Sequence, residues 1–132
     1  MASLCSPEEV AALLDHLEIR TRRLEDCTAF YQQVLEPAGY RLVVDGPKKG
    51  FGSNGGRLDF WIVEGEPSAD VHYAFQVADR AAVDRAYGRS GEHGGVPERV
   101  PAVLPQIHPH YYAGFAHDPD GRLIEFVSHV SG

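Results

Sequence analysis

The stretch LDHLEIRTRRLEDCTAFY, residues 14–31, decides the fold because the chain uses it twice. Shifted by 56 residues it falls on DVHYAFQVADRAAVDRAY, residues 70–87. His16 then lies on His72, Ile19 on Phe75 and Tyr31 on Tyr87, and beyond the segment Gly39 lies on Gly95. Each copy opens with alternating apolar residues, the period of a half-buried strand. Each continues into an apolar-periodic stretch with acidic starting residues, Glu25 and Asp26 in the first copy and Asp79 in the second. That is the pattern of an amphipathic helix, and each such helix stops near a glycine. The shared phase of histidine, strand and helix makes the repeat credible.

Turn chemistry divides the remainder of each copy into short strands. In the first they are expected near Tyr40–Val44, Gly50–Gly52 and Leu58–Val63, with Asn54-Gly55-Gly56 supplying a tight turn. In the second they fall near Pro97–Val100, Tyr111–Ala116 and Leu123–Ser128, with Asp118-Pro119-Asp120-Gly121 closing the last hairpin. The sum is an α+β chain of two βαβββ modules, about residues 12–66 and 70–130, joined around Gly65–Asp70. Neither module could bury both its sheet and its helix alone, so residues 1–132 are expected to form a single domain. Ser6-Pro7-Glu8-Glu9 carries a cap residue, a proline at the first helical position and acids in the first turn, which predicts a short helix over about residues 6–14.

Bulk properties narrow the partners. The chain has 132 residues, 43% of them hydrophobic and 23% charged, which is ordinary globular composition. A net charge of −7 makes nucleic acid or an anionic membrane surface a poor partner. Cys5 and Cys27 lack the spacing of a thiolate metal site, and are expected to stay reduced. No apolar run approaches the ~20 residues of a membrane span. The N-terminal residues do not read as a signal peptide, and a cytoplasmic location is expected.

The strongest chemical constellation is His16, His72 and Glu125. Two imidazoles and a carboxylate, with coordination positions left open, suit one divalent ion: Fe, Mn, Ni or Zn. The histidines occupy matching places on the first strand of each module, and a two-fold relation between modules would bring them face to face. Glu125 is flanked by Ile124 and Phe126, and a carboxylate buried among apolar neighbours is costly unless paired or metal-bound. The plainer reading also stands: by alternation Glu125 could face solvent from an ordinary two-sided sheet while its neighbours face the core.

Three segments, DHLEIRT, VHYAFQV and FAHDPDGRLIEFVSH, resemble the ligand segments of the vicinal-oxygen-chelate superfamily, which includes glyoxalases, bleomycin-resistance proteins and extradiol dioxygenases. QQVLEPAGY and DFWIVEG are also similar to segments of its small members, so the resemblance runs from Leu13 to His129. It implies paired βαβββ modules curled into an open, U-shaped barrel around a metal, with His16, His72 and Glu125 as ligands. It also implies a place for a fourth ligand on the last strand of the first module. Pairing Asp59-Phe60 with Glu125-Phe126 puts Asp59 there, whereas pairing Arg57-Leu58 with Arg122-Leu123 puts Phe60 there. A one-residue slip reverses the face a side chain takes, so both registers stay open.

Further candidates follow from alternation. If His16 points into the barrel, so do Glu18 and Arg20, which makes Glu18 a candidate general base or else a partner of Arg20. Tyr111, Ala113 and Phe115 share one face, and His108 and His110 precede them in a proline-bearing loop. Loops at a barrel mouth often carry substrate contacts, which makes His108 the next catalytic candidate. Trp61, Tyr111 and Phe115 could wall a substrate pocket, although a strand tryptophan is more commonly core.

The resemblance implies a small-molecule substrate whose two neighbouring oxygens chelate the metal, in a lyase, isomerase or dioxygenase reaction. The V-H-Y-A-F strand resembles the corresponding strand of fosfomycin-resistance transferases, but those proteins place a threonine where this chain has Glu18. The alternative is a non-catalytic binding or resistance protein that traps a planar ligand between Trp61, Tyr111 and Phe115. In both cases a homodimer is expected, because open barrels leave strand edges to cover.

Overall fold

The computed structural model of the protein describes residues 14–132, so the helix expected over about 6–14 lies outside the described residues apart from Leu14. The first module runs β1 (Leu17–Thr21), α1 (Leu24–Leu35), a 3-10 turn (Glu36–Ala38), β2 (Tyr40–Asp45), β3 (Lys48–Ser53) and β4 (Leu58–Glu64). The second runs β5 (His72–Gln76), α2 (Arg80–Glu92), β6 (Val96–Val103), β7 (Tyr112–His117) and β8 (Leu123–Ser128). Both are βαβββ, and the strand ends fall within a few residues of those expected. The largest change is β6, which runs through Pro97 and Pro101 to Val103 with irregular pairing to β7. Proline cannot donate to a ladder, and β6 is an edge strand, where that loss is tolerated.

Local chemistry starts and stops the helices. The Asp79 side chain accepts the Ala82 N–H at 2.9 Å, an N-cap that starts α2. α1 has no side-chain cap, but acids at Glu25 and Asp26 face its positive N-terminal end. Pro37 stands within the 3-10 turn that follows α1, and Gly39 ends that turn at φ 82°, a left-handed conformation that favours glycine. The buried stripe of α1 is Cys27, Phe30, Tyr31, Val34 and Leu35; that of α2 is Ala82, Val83 and Ala86.

The strand orders are β1-β4-β3-β2 and β5-β8-β7-β6, with β1 parallel to β4 and β5 parallel to β8. The two four-stranded sheets are not closed on one another, as in an open barrel. The two helices pack on each other, and a single hydrophobic cluster runs through both modules. Phe60 of β4 meets Phe75 of β5 edge to face, 5.5 Å between ring centroids, and Tyr31 of α1 packs on both. Edge-to-face pairs of this kind add about 1 kcal/mol beyond the area they bury.

A polar tie also joins the modules. Asp118, from the proline-led turn, accepts from Tyr31 at 2.6 Å and from the Arg122 guanidinium at 2.8 Å, and both ends of that ion pair are buried. Arg122 further donates to the Ser68 carbonyl and to the Arg20 carbonyl. The turn is therefore both a reversal and a clasp between the modules and their linker. Among the described residues no helix is long and apolar enough to cross a membrane.

Candidate metal centre

Parallel pairing of β5 with β8 sets the register Ala74↔Glu125, so His72 stands two residues before Glu125's neighbour on the adjacent strand. The side chains converge: His72 Nε2 lies 3.1 Å from Glu125 Oε1. Glu125 is only 4% exposed, while Ile124 and Phe126 on the opposite face are fully buried in the core. The sheet is thus covered on both faces here, and Glu125 does not point into solvent. Its second oxygen, Oε2, accepts the Tyr111 hydroxyl. Burial and that bond push the Tyr111 phenol up to about 12.

The other nitrogen of His72 decides what the pair can do. Nδ1 lies 3.2 Å from the Leu123 carbonyl, an acceptor only, so both ring nitrogens of His72 face acceptor oxygens. Nε2 and the Glu125 oxygen, 3.1 Å apart, can share one cation, either a proton or a metal ion. A backbone carbonyl holding the remote N–H of a histidine is also the usual way of orienting an imidazole ligand.

His16 is oriented in a related way. Its Nδ1 is 2.8 Å from Asp15 Oδ1, a bond that does not use Nε2, and this bond is the main reason the Asp15 carboxyl is held below its ordinary range. His16 does not join His72 and Glu125, however: among the described residues no three His, Cys, Asp or Glu side chains converge on one point. It lines a small cavity with Glu18, Lys48 and Trp61. Glu18 also borders a second, larger cleft of about 450 Å3 that reaches His72 between β1 and β5. Arg20 is 3.9 Å from Glu18, a loose pair.

The fourth place goes to neither side chain weighed from the sequence. The register Glu18↔Trp61 in the first module matches Ala74↔Glu125 in the second, so Trp61 stands where Glu125 stands. The reason is a bulge in β4: Phe51 pairs with Phe60 and Gly52 with Leu58, leaving Asp59 as an extra residue with no partner on β3. Asp59 instead accepts the Tyr40 hydroxyl at 2.7 Å, and Phe60 faces the core.

The remaining candidates sit as follows. Phe115 stacks on His72, 6.2 Å between centroids, with the Arg99 guanidinium over the Phe115 ring at 5.1 Å. His108 has both nitrogens engaged: Nδ1 accepts the His110 N–H at 3.0 Å and Nε2 meets His129 Nδ1 at 2.7 Å. His129 was not singled out by the sequence, since a residue just past the last strand carries no periodic signal. Arg122 was missed for a similar reason, because a turn arginine reads as solvated until burial is known.

The donor set of His72 and Glu125, with the Nε2 of His16, fits a divalent ion of the Fe, Mn, Ni or Zn type. The chain as described brings two of the three expected ligands together.

The comparisons agree with this fold. The family model for the Glyoxalase/Bleomycin resistance protein/Dioxygenase superfamily matches residues 13–126. A glyoxalase/bleomycin resistance protein from Albidiferax ferrireducens T118 superposes with a TM-score of 0.77 at 19% identity, covering 90% of this chain and 100% of that one. The fosfomycin resistance protein FosX from Mesorhizobium loti superposes with a TM-score of 0.64 at 25% identity, covering 89% and 92%. FosX from Listeria monocytogenes gives 0.66 at 21% identity, covering 90% and 94%. No curated protein matches the chain. Its fold, its two-module organisation and the match over residues 13–126 make the chain a member of the glyoxalase/bleomycin resistance protein/dioxygenase superfamily.

Proposed function

We propose that the protein is a divalent-metal-dependent enzyme acting on a small oxygenated substrate, of lyase, isomerase or dioxygenase type. His72, Glu125 and His16 hold the metal. The observation that carries this reading is the His72–Glu125 pair: an imidazole nitrogen and a buried carboxylate oxygen face each other at 3.1 Å, with the remote nitrogen beside the Leu123 carbonyl. A bound divalent ion would polarise two neighbouring oxygens of the substrate and stabilise the negative charge that develops there.

The chain's own residues then have distinct tasks. Tyr111 donates to Glu125 and keeps its second oxygen in place. Phe115, stacked on His72, limits how the imidazole can turn and excludes water from that side. Glu18 borders the cleft that reaches His72, and its carboxylate accepts a proton from a substrate seated there. His16 completes the ligand set from the first module. The FosX structures similar to this chain carry a resistance activity by name, but Glu18 in place of a hydroxyl residue favours proton abstraction here.

The test is metal content by mass spectrometry on untagged protein beside His72→Ala. Near-stoichiometric divalent metal in the parent, lost in a variant with unchanged circular dichroism, supports the reading. If the parent stays empty after exposure to iron, nickel, manganese and zinc, a non-catalytic binding role takes its place.

A further inference from the structure

Trp61 is the only tryptophan of the chain and pairs directly with Gly50 of β3. A Cβ added at Gly50 would lie 2.6, 2.8 and 3.0 Å from three carbons of the six-membered indole ring. Three such approaches mean that the ring lies on the glycine, in space any side chain would take. Its Nε1–H donates to the Leu58 carbonyl at 3.1 Å, which fixes the ring against flipping and uses its one polar group. What Trp61 presents to the adjoining cavity is therefore a held π surface. That cavity, about 210 Å3, is walled by His16, Glu18, Lys48 and Trp61.

The two modules differ at this place. In the second, a carboxylate on β8 (Glu125) pairs with an aromatic on β7 (Phe115). In the first, the aromatic is on the last strand and the residue opposite has no side chain. One half thus presents ligating atoms and the other a flat apolar plane. Lys48 brings a cation to the same cavity, whereas its neighbour Lys49 is held by Asp45 at 2.6 Å. Glu18, also in the lining, disfavours an anion beside itself.

The geometry points to Trp61 as a stacking platform for a planar, conjugated acid, its ring on the indole face and its carboxylate at Lys48. This deepens the reading given under Proposed function and rests on it for the location of the site, with His16 the residue common to both. A flat ligand lays its whole face on the indole, while a saturated ring of the same size touches it through a few hydrogens.

The test uses 4-hydroxybenzoate and its saturated counterpart, trans-4-hydroxycyclohexanecarboxylate, followed by quenching of Trp61 emission and by calorimetry. The planar acid is expected to bind about tenfold more tightly, the upper end of what one stacked aromatic pair supplies. Gly50→Ala, by pushing the ring away, and Trp61→Leu, which removes it, should each abolish that preference. Lys48→Gln should weaken the acid while leaving 4-hydroxybenzamide unchanged. The preference should persist after chelator treatment and in His72→Ala, so loss of the metal reading and loss of the platform give different results. Equal binding of the planar and saturated acids to the parent overturns the proposal. So does a planar preference that survives in folded Trp61→Leu.

Discussion

His72 and Glu125 lie on adjacent parallel strands, offset by two residues in register, and their side chains meet at 3.1 Å. The carboxylate is buried and the imidazole half-exposed, so the pair has one dry wall and one open side. A ligand or a metal ion can approach only from the side of His72.

Tyr111 supplies the hydroxyl that holds the second oxygen of Glu125. Tyr111→Phe removes that donor without removing a metal ligand. Outer partners of this kind typically change metal affinity about 10- to 100-fold. A competition titration against a chromophoric chelator should show metal binding weakened by at least about tenfold, with the thermal midpoint moved by only a few degrees.

Arg122 and Asp118 form an ion pair buried at both ends. Breaking such a pair from one side leaves an uncompensated charge in the interior and costs about 3–5 kcal/mol. Asp118→Ala should lower stability to urea by that amount and more than Asp120→Ala does. Equal and small effects would reduce the clasp between modules to an ordinary turn.

Cys27 is fully buried, and burial pushes its thiol up to about 12. In a Cys5→Ser background, the remaining thiol should ignore a disulfide reagent at pH 8 until the protein is unfolded. The same shift carries a sign for stability. An unfolded thiol ionises near pH 8.5 and the folded one resists, so stability should fall as pH rises from there toward 12.

His117, when protonated, donates to Glu98 at 3.0 Å and to the Gly121 carbonyl at 3.2 Å; the Glu98 bond is the larger cause of a pKa raised above its ordinary value. A raised histidine stabilises the fold fully below its unfolded pKa, and the contribution disappears as pH rises through the folded value. The side chains are 33% and 53% exposed, so screening keeps the contribution below about 1 kcal/mol. Urea midpoints measured from pH 6 to pH 9 should converge for the parent and His117→Gln at the alkaline end.

The duplicated phase of strand, helix and histidine was enough to determine two βαβββ modules, and turn chemistry the reversal at Asp118–Gly121. These are local properties: alternation, helical period, caps and turn residues act within a few positions, and a linear sequence displays them directly. The pairing across strands was beyond its reach. Alternation says that Asp59 and Trp61 share a face, but the bulge at Asp59 decides that Trp61 stands in the place of Glu125. It likewise left Glu125 free to face solvent or interior, and its burial beside Tyr111 and His72 appears only in the fold. His129 beside His108 and Arg122 beneath the linker join residues 21 and 54 or more positions apart. Such contacts depend on how packed sheets and helices lie in space, so the tertiary structure alone determines them.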